Sequence, residues 1–186
     1  MEKEVGVNEE EREKILRMSE IPLILDTYDD IFSDFDPRPH SQRALSDDFL
    51  LEAKRASREK ATGGIELQFL MPKAKRNLRD ESLIKKRLKE HFKKHYDRLH
   101  QEKNKIIKQG AFFVFVGIIL MFFATFVLFG YEKTALTSFL IIFLEPASWF
   151  LFWEGLNLII FEVKKLKPDL DFYEKMIECE IEFLSY

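Results

Sequence analysis

From Gly110 to Gly130 the chain runs twenty-one residues without a charge, and from Ala135 to Phe161 a second apolar run is interrupted only by Glu145 and Glu154. At 1.5 Å per residue, about 20 apolar residues match the ~30 Å hydrocarbon core of a bilayer. Two such runs joined by Tyr131–Thr134 predict a transmembrane hairpin. Ahead of it, Ile84, Leu88, Phe92, Tyr96, Leu99 and Ile106 recur at helical spacing among lysines and arginines. That stripe predicts a long amphipathic helix from Asn77, with Asp80 in a capping-box position, entering the first membrane helix without a break.

Shorter patterns flank these. Ile65, Leu67, Phe69 and Met71 alternate, as do Cys179, Ile181 and Phe183, and alternation is strand periodicity. Ile21–Asp26 reads as a short apolar strand or as the first turn of something buried. Ser46 caps an expected helix with Asp47 and Asp48 in its first turn, ended by Gly63-Gly64. Glu9–Met18 reads as a short helix, and Tyr28–Ser41, with its Asp-Pro and Arg-Pro steps, as a loop. Strands from opposite ends of the chain, all on one side of the membrane, predict a single small sheet. The expected fold is an α-helical membrane protein: a transmembrane two-helix hairpin preceded by a long amphipathic helix, with a small cytosolic α+β module. Its parts are the module (1–76), the basic juxtamembrane helix (77–109), membrane helix 1 (110–130), an external loop (131–134), membrane helix 2 (135–162) and a cytosolic tail with a terminal strand (163–186).

The net charge of −3 hides a strong segregation. Residues 1–72 carry ten Lys and Arg against seventeen Asp and Glu, whereas residues 73–108 carry fourteen against five. A basic block before the first apolar run, and Lys164, Lys165 and Lys167 after the second, place both termini in the cytoplasm by the positive-inside rule. The expected location is the cell membrane, multi-pass. Lys103, Lys105, Lys108, Lys164 and Lys165 are the expected lipid-headgroup contacts, each worth about 1 kcal/mol beside an anionic leaflet. The bilayer is thus a nearer partner for the basic helix than nucleic acid, which is not expected. Cys179 is the only cysteine, so no intrachain disulfide exists. No signal peptide precedes the first apolar run, which is expected to act as the insertion signal.

Glu145 and Glu154 are the candidate functional residues. A carboxyl at bilayer depth costs about 2.5–3.5 kcal/mol on insertion scales and usually faces a bundle interior or a wet path. Nine residues apart, the two point to opposite faces of a straight helix, and Pro146 offers a break that would bring them together. Ser148 lies within a turn of Glu145 and Asn157 a turn beyond Glu154, so all four are candidate ion or proton ligands. The competing reading makes both carboxyls packing contacts, protonated or hydrogen-bonded to neighbouring helices. Gly110, Gly117 and Ala124 recur every seven residues as a small-residue seam, serving a homo-oligomer or packing only against the second helix of the same chain. Asp29, Asp30 and Asp34, within an acidic run that includes Asp26 and Asp36, are oxygen donors of the kind Ca²⁺ or Mg²⁺ takes. The alternative is a solvated loop that pairs with the basic helix. His91 and His95 have metal-compatible spacing without an evident third ligand.

Asp29–Arg38, Arg43–Leu50, Leu144-Glu-Pro and Trp153-Glu-Gly-Leu156 resemble the pattern of a group of uncharacterised prokaryotic two-pass membrane proteins. That resemblance implies the architecture and no activity. Leu144-Glu-Pro-Ala-Ser-Trp-Phe150 also resembles the Glu-Pro pore segment of mitochondrial calcium uniporters, which implies a Glu ring that binds an ion. The acidic residue of that segment three positions earlier is Ile142 here. No nucleophile–base pair supports an enzyme, and no cofactor is expected. Two functions remain: an oligomeric membrane protein that passes or responds to a cation, and a membrane-anchored scaffold or sensor whose module binds a protein.

Overall fold

The computed structural model describes residues 20–58 and 66–185. The helix expected at Glu9–Met18 and the Gly63-Gly64 turn lie outside the described residues. The order is β1 (Glu20–Ile24), α1 (Asp47–Arg58), β2 (Glu66–Met71), α2 (Leu78–Gly130), α3 (Ala135–Asn157), α4 (Val163–Glu178) and β3 (Glu180–Ser185). Two units form: one from the described residues up to Tyr96 and from Asp171 onward, the other from Asp97–Leu170.

In the first unit the strands make one sheet in the order β1-β2-β3, parallel throughout. This corrects the α+β expectation, because parallel strands joined by helical crossovers make an α/β layer. Alternation along a strand reveals which side chains share a face and says nothing of strand direction. Leu67 sits opposite Ile21 and Ile181, and Phe69 opposite Leu23 and Phe183. These residues form one core with Phe49 and Ala53 of α1, Ile84, Leu88 and Phe92 of α2, and Phe172 and Met176 of α4. Each large apolar side chain buried there contributes roughly 1.5–3 kcal/mol.

The tail beyond residue 162 holds the terminal strand β3 and, ahead of it, the sixteen residues of α4, which the sequence pattern alone did not reveal. Pro168 lies inside α4, and the helix is carried by Phe172 and Met176, buried in the core with Tyr173 and Ile177 packed against it. Lys89 of α2 caps its C-terminus, donating Nζ to the carbonyls of Ile177 at 2.6 Å and of Cys179.

Tyr28 anchors the loop that follows β1 to the start of α2. Its hydroxyl accepts from the Asn77 amide at 2.8 Å and donates to Glu81 Oε1 at 3.1 Å. Glu81 is only 5 % exposed, and the Arg76 guanidinium grips it with two hydrogen bonds of 2.8 and 3.0 Å. That pairing holds the Glu81 carboxyl below its ordinary range, while burial pushes the Tyr28 phenol up.

In the second unit α2 runs as far as Gly130, and Thr134 caps α3, accepting from the Thr137 amide at 3.3 Å. Pro146 does not break α3, contrary to the expected interruption. Proline removes only one backbone donor, and a helix tolerates that when its neighbours hold the backbone on both sides. The irregularity falls instead at Leu158–Glu162, a π-helical turn in which the Val163 amide bonds the Leu158 carbonyl.

Candidate functional site

The site begins with small residues that let two helix backbones touch. A Cβ built on Gly117 would lie 2.8 Å from the Phe152 amide nitrogen and 3.0 Å from the Ser148 carbonyl. One on Gly155 would lie 2.5 Å from the Gly110 carbonyl and 2.7 Å from the Val114 nitrogen. Gly110, in turn, faces Gly155, Leu158 and Ile159. The seam of Gly110, Gly117 and Ala124 is thus spent inside the chain, against a matching heptad pair, Ser148 and Gly155, on α3. It therefore lends no support to self-association.

Where larger side chains resume on α2, the helices flank an open cavity of about 180 Å³ lined by Met121, Ala124, Thr125, Leu128, Ile141, Glu145, Ser148 and Trp149, of which Thr125, Leu128, Glu145 and Trp149 are exposed. Its side-chain oxygens are the Glu145 carboxyl and two hydroxyls, and the Trp149 indole lines it as well. Ser148 Oγ donates to the Glu145 carbonyl at 2.8 Å, and Thr125 Oγ1 donates to the Met121 carbonyl at 2.9 Å. Both hydroxyl protons are therefore used within their own helices, and what the two oxygens have left to offer is lone pairs. With the carboxyl they supply acceptor oxygens, the donor atoms that a hard cation takes. Among the described residues neither the Glu145 nor the Glu154 carboxyl has a hydrogen-bond or ion-pair partner.

The sequence candidates divide. Glu145 and Ser148 line the cavity; Glu154 and Asn157 do not, because α3 runs unbroken between the two glutamates. Thr125 was missed. Its signal was present: a lone hydroxyl in an apolar run, next to the seam residue Ala124. Lys105, Lys108, Lys164 and Lys165 are exposed and Lys103 half-buried, and Lys165 pairs with Glu162 at 2.5 Å.

Asp29, Asp30 and Asp34 do not converge as metal ligands. Asp29 pairs with His40 at 3.3 Å and with Arg43, and the His40 hydrogen bond foremost holds its carboxyl below the ordinary range. Asp30 accepts from the Asp26 and Thr27 amides at 2.7 and 2.9 Å, and Asp34 lies 3.6 Å from Arg43. The expected pairing with the basic helix is also corrected, since Asp29 and Asp34 meet Arg43 and Asp30 meets backbone amides of its own segment. Among the described residues no group of three or more His, Cys, Asp or Glu is arranged to hold a metal. His91 and His95 stack with ring centroids 4.2 Å apart, and His95 stacks on Tyr173 at 5.4 Å.

The chain is thus mostly helical, with a small three-stranded parallel sheet and two helices long and apolar enough to cross a membrane. No protein-family model, curated protein or solved structure matches it.

Proposed function

We propose that this chain is a two-pass membrane protein whose Glu145 takes up a cation or a proton between the two spanning helices. One observation carries the membrane part. The most apolar 18-residue windows of the two helices are only 17 % and 11 % buried within the protein. Phe122, Phe129, Ile142 and Phe150 are each at least 68 % exposed. A core helix of a water-soluble fold buries such residues, whereas acyl chains are their natural solvent.

The sheet supports two crossings. β2 precedes the hairpin and β3 follows it, and they pair side by side. Both flanks of the hairpin therefore lie on one side of any bilayer it crosses. The excess of Lys and Arg in residues 73–108 favours the cytoplasmic side.

Glu145 supplies the ion-linked part. An unpartnered carboxylate in hydrocarbon is costly, and a proton or a cation held with Thr125 and Ser148 removes that cost. One hairpin encloses no pore, so conduction requires several copies. The test is reconstitution into liposomes with Trp149 and Trp153 as reporters. Cation or pH titration is expected to change their fluorescence, and Glu145→Gln to abolish that change while Glu154→Gln retains it. A flat titration in the wild type, or a response that survives Glu145→Gln, refutes the site.

The second reading is a membrane-anchored scaffold or sensor. It is favoured by the sheet, which carries its buried side chains on one face only.

A further inference from the structure

Parallel sheets normally bury both faces beneath helices. Here one face meets α1, α2 and α4, and the alternate strand positions form the other. Register aligns them in three rows across the strands: Glu20, Glu66 and Glu180; Pro22, Gln68 and Glu182; Ile24, Leu70 and Leu184. Ile24 is 73 % and Leu184 38 % exposed, and Pro22, Glu180 and Glu182 are exposed as well. Gln68 donates to Glu66 at 3.2 Å, while the Glu180 and Glu182 carboxyls make no hydrogen bond or ion pair among the described residues. The face is therefore acidic at the N-terminal ends of the strands and aliphatic at their C-terminal ends.

We infer that this face docks a helix of a protein partner, aliphatic at one end of its contact stripe and basic at the other. A helix is the element that covers a parallel sheet. Its chemistry follows by complementarity: aliphatic side chains to bury Ile24, Leu70 and Leu184, and lysines or arginines to meet Glu66, Glu180 and Glu182. The outer rows lie four residues apart along each strand, about 13 Å. Helix residues seven or eight apart share a face and rise about 11–12 Å, close to that distance. An anionic lipid surface is excluded by like charge. The inference deepens the scaffold reading and is independent of Glu145.

The test uses the full chain in nanodiscs of phosphatidylcholine, with empty discs as the control. The probe is a fluorescent designed helix carrying a leucine cluster and a lysine cluster about eight residues apart, and its binding is read by anisotropy. The probe is expected to bind the wild type. The double variant Glu180→Lys/Glu182→Lys is expected to weaken binding about tenfold, as is Ile24→Ser. A probe with Glu in place of Lys is expected to prefer the double variant, a gain of function that misfolding cannot imitate.

No binding to the wild type, or affinities unchanged within about twofold in both variants, overturns the inference. Binding that ignores the variants would leave a scaffold docking elsewhere on the module. If the probe binds only after residues 1–19 are deleted, the face belongs to the chain's own N-terminal segment and an outside partner is refuted. If native mass shows a dimer that the double variant dissociates, a second copy is the occupant and the inference fails equally.

Discussion

Gly155→Ala tests the hairpin at its tightest point. The added methyl would meet the Gly110 carbonyl at 2.5 Å and the Val114 nitrogen at 2.7 Å, both backbone atoms that cannot rotate aside. Ordinary contact distances of about 3.5–4.0 Å require the helices to part by about 1 Å, and such a gap forfeits a quarter to a half of each dispersion contact. Overpacking of this kind costs about 1–3 kcal/mol, against up to ~1 kcal/mol gained in helix propensity. With the full propensity gain the expected net loss is about 0–2 kcal/mol, and relative to a glycine replaced without overpacking it is about 1–3 kcal/mol. Gly130→Ala is the control, since its nearest neighbours are Phe126 ring atoms at 3.9 and 4.0 Å. Both tryptophans, Trp149 and Trp153, lie on α3, so unfolding in mixed micelles followed by their fluorescence reports the hairpin directly. Equal stability of Gly155→Ala and Gly130→Ala would show that the helices are not in backbone contact.

Three further outcomes concern the module. Glu81→Gln removes the charge and one of the two carboxylate oxygens that accept from Arg76, and the expected loss is about 2 kcal/mol in denaturant unfolding. Because the folded pKa of Glu81 is depressed, its contribution is present above the unfolded carboxylate pKa and fades as pH falls through the folded value; Glu81→Gln should flatten acid unfolding over that range. Burial, with His95, Arg87 and Lys94 nearby, holds His91 at about 4, so it is neutral at pH 7. Its contribution is present above the unfolded pKa of about 6.5 and is lost as pH falls toward 4, and NMR titration showing a midpoint near 6.5 would contradict this. Cys179 is 1 % exposed with its thiol pKa raised by burial, so maleimide labelling at neutral pH should be slow until the module unfolds.

Much of this architecture was legible because burial writes its period into the sequence. The alternation of Leu67, Phe69 and Met71, and of Ile181 and Phe183, marks which side chains enter the core. Strand direction leaves no such mark, so the parallel register appeared only in three dimensions. Pro146 illustrates a different limit. A proline signals a missing donor, but whether the helix yields depends on what packs beside it, and here Gly117 and Ser148 hold α3 against α2. α4 was obscured because its core-facing stripe, Phe172 and Met176 with Tyr173 and Ile177, is short and follows Pro168. The Glu145 cavity needed the rotation of both helices, which the Gly110–Gly155 contact sets, and only that rotation brings Thr125 to the acid. Asp29 and Asp34 looked like ligands because a sequence shows charge without showing that Arg43 neutralises it.

The crossover between β2 and β3 also fixes an order of events during synthesis. β3 emerges from the ribosome only after both apolar helices have been made, and it brings Ile181 and Phe183, while α4 brings Phe172 and Met176. Until then the nascent module lacks an edge strand and part of its core. A chain stalled after the first apolar helix therefore exposes an unfinished sheet to proteases, whereas one that completes both apolar helices and β3 closes it.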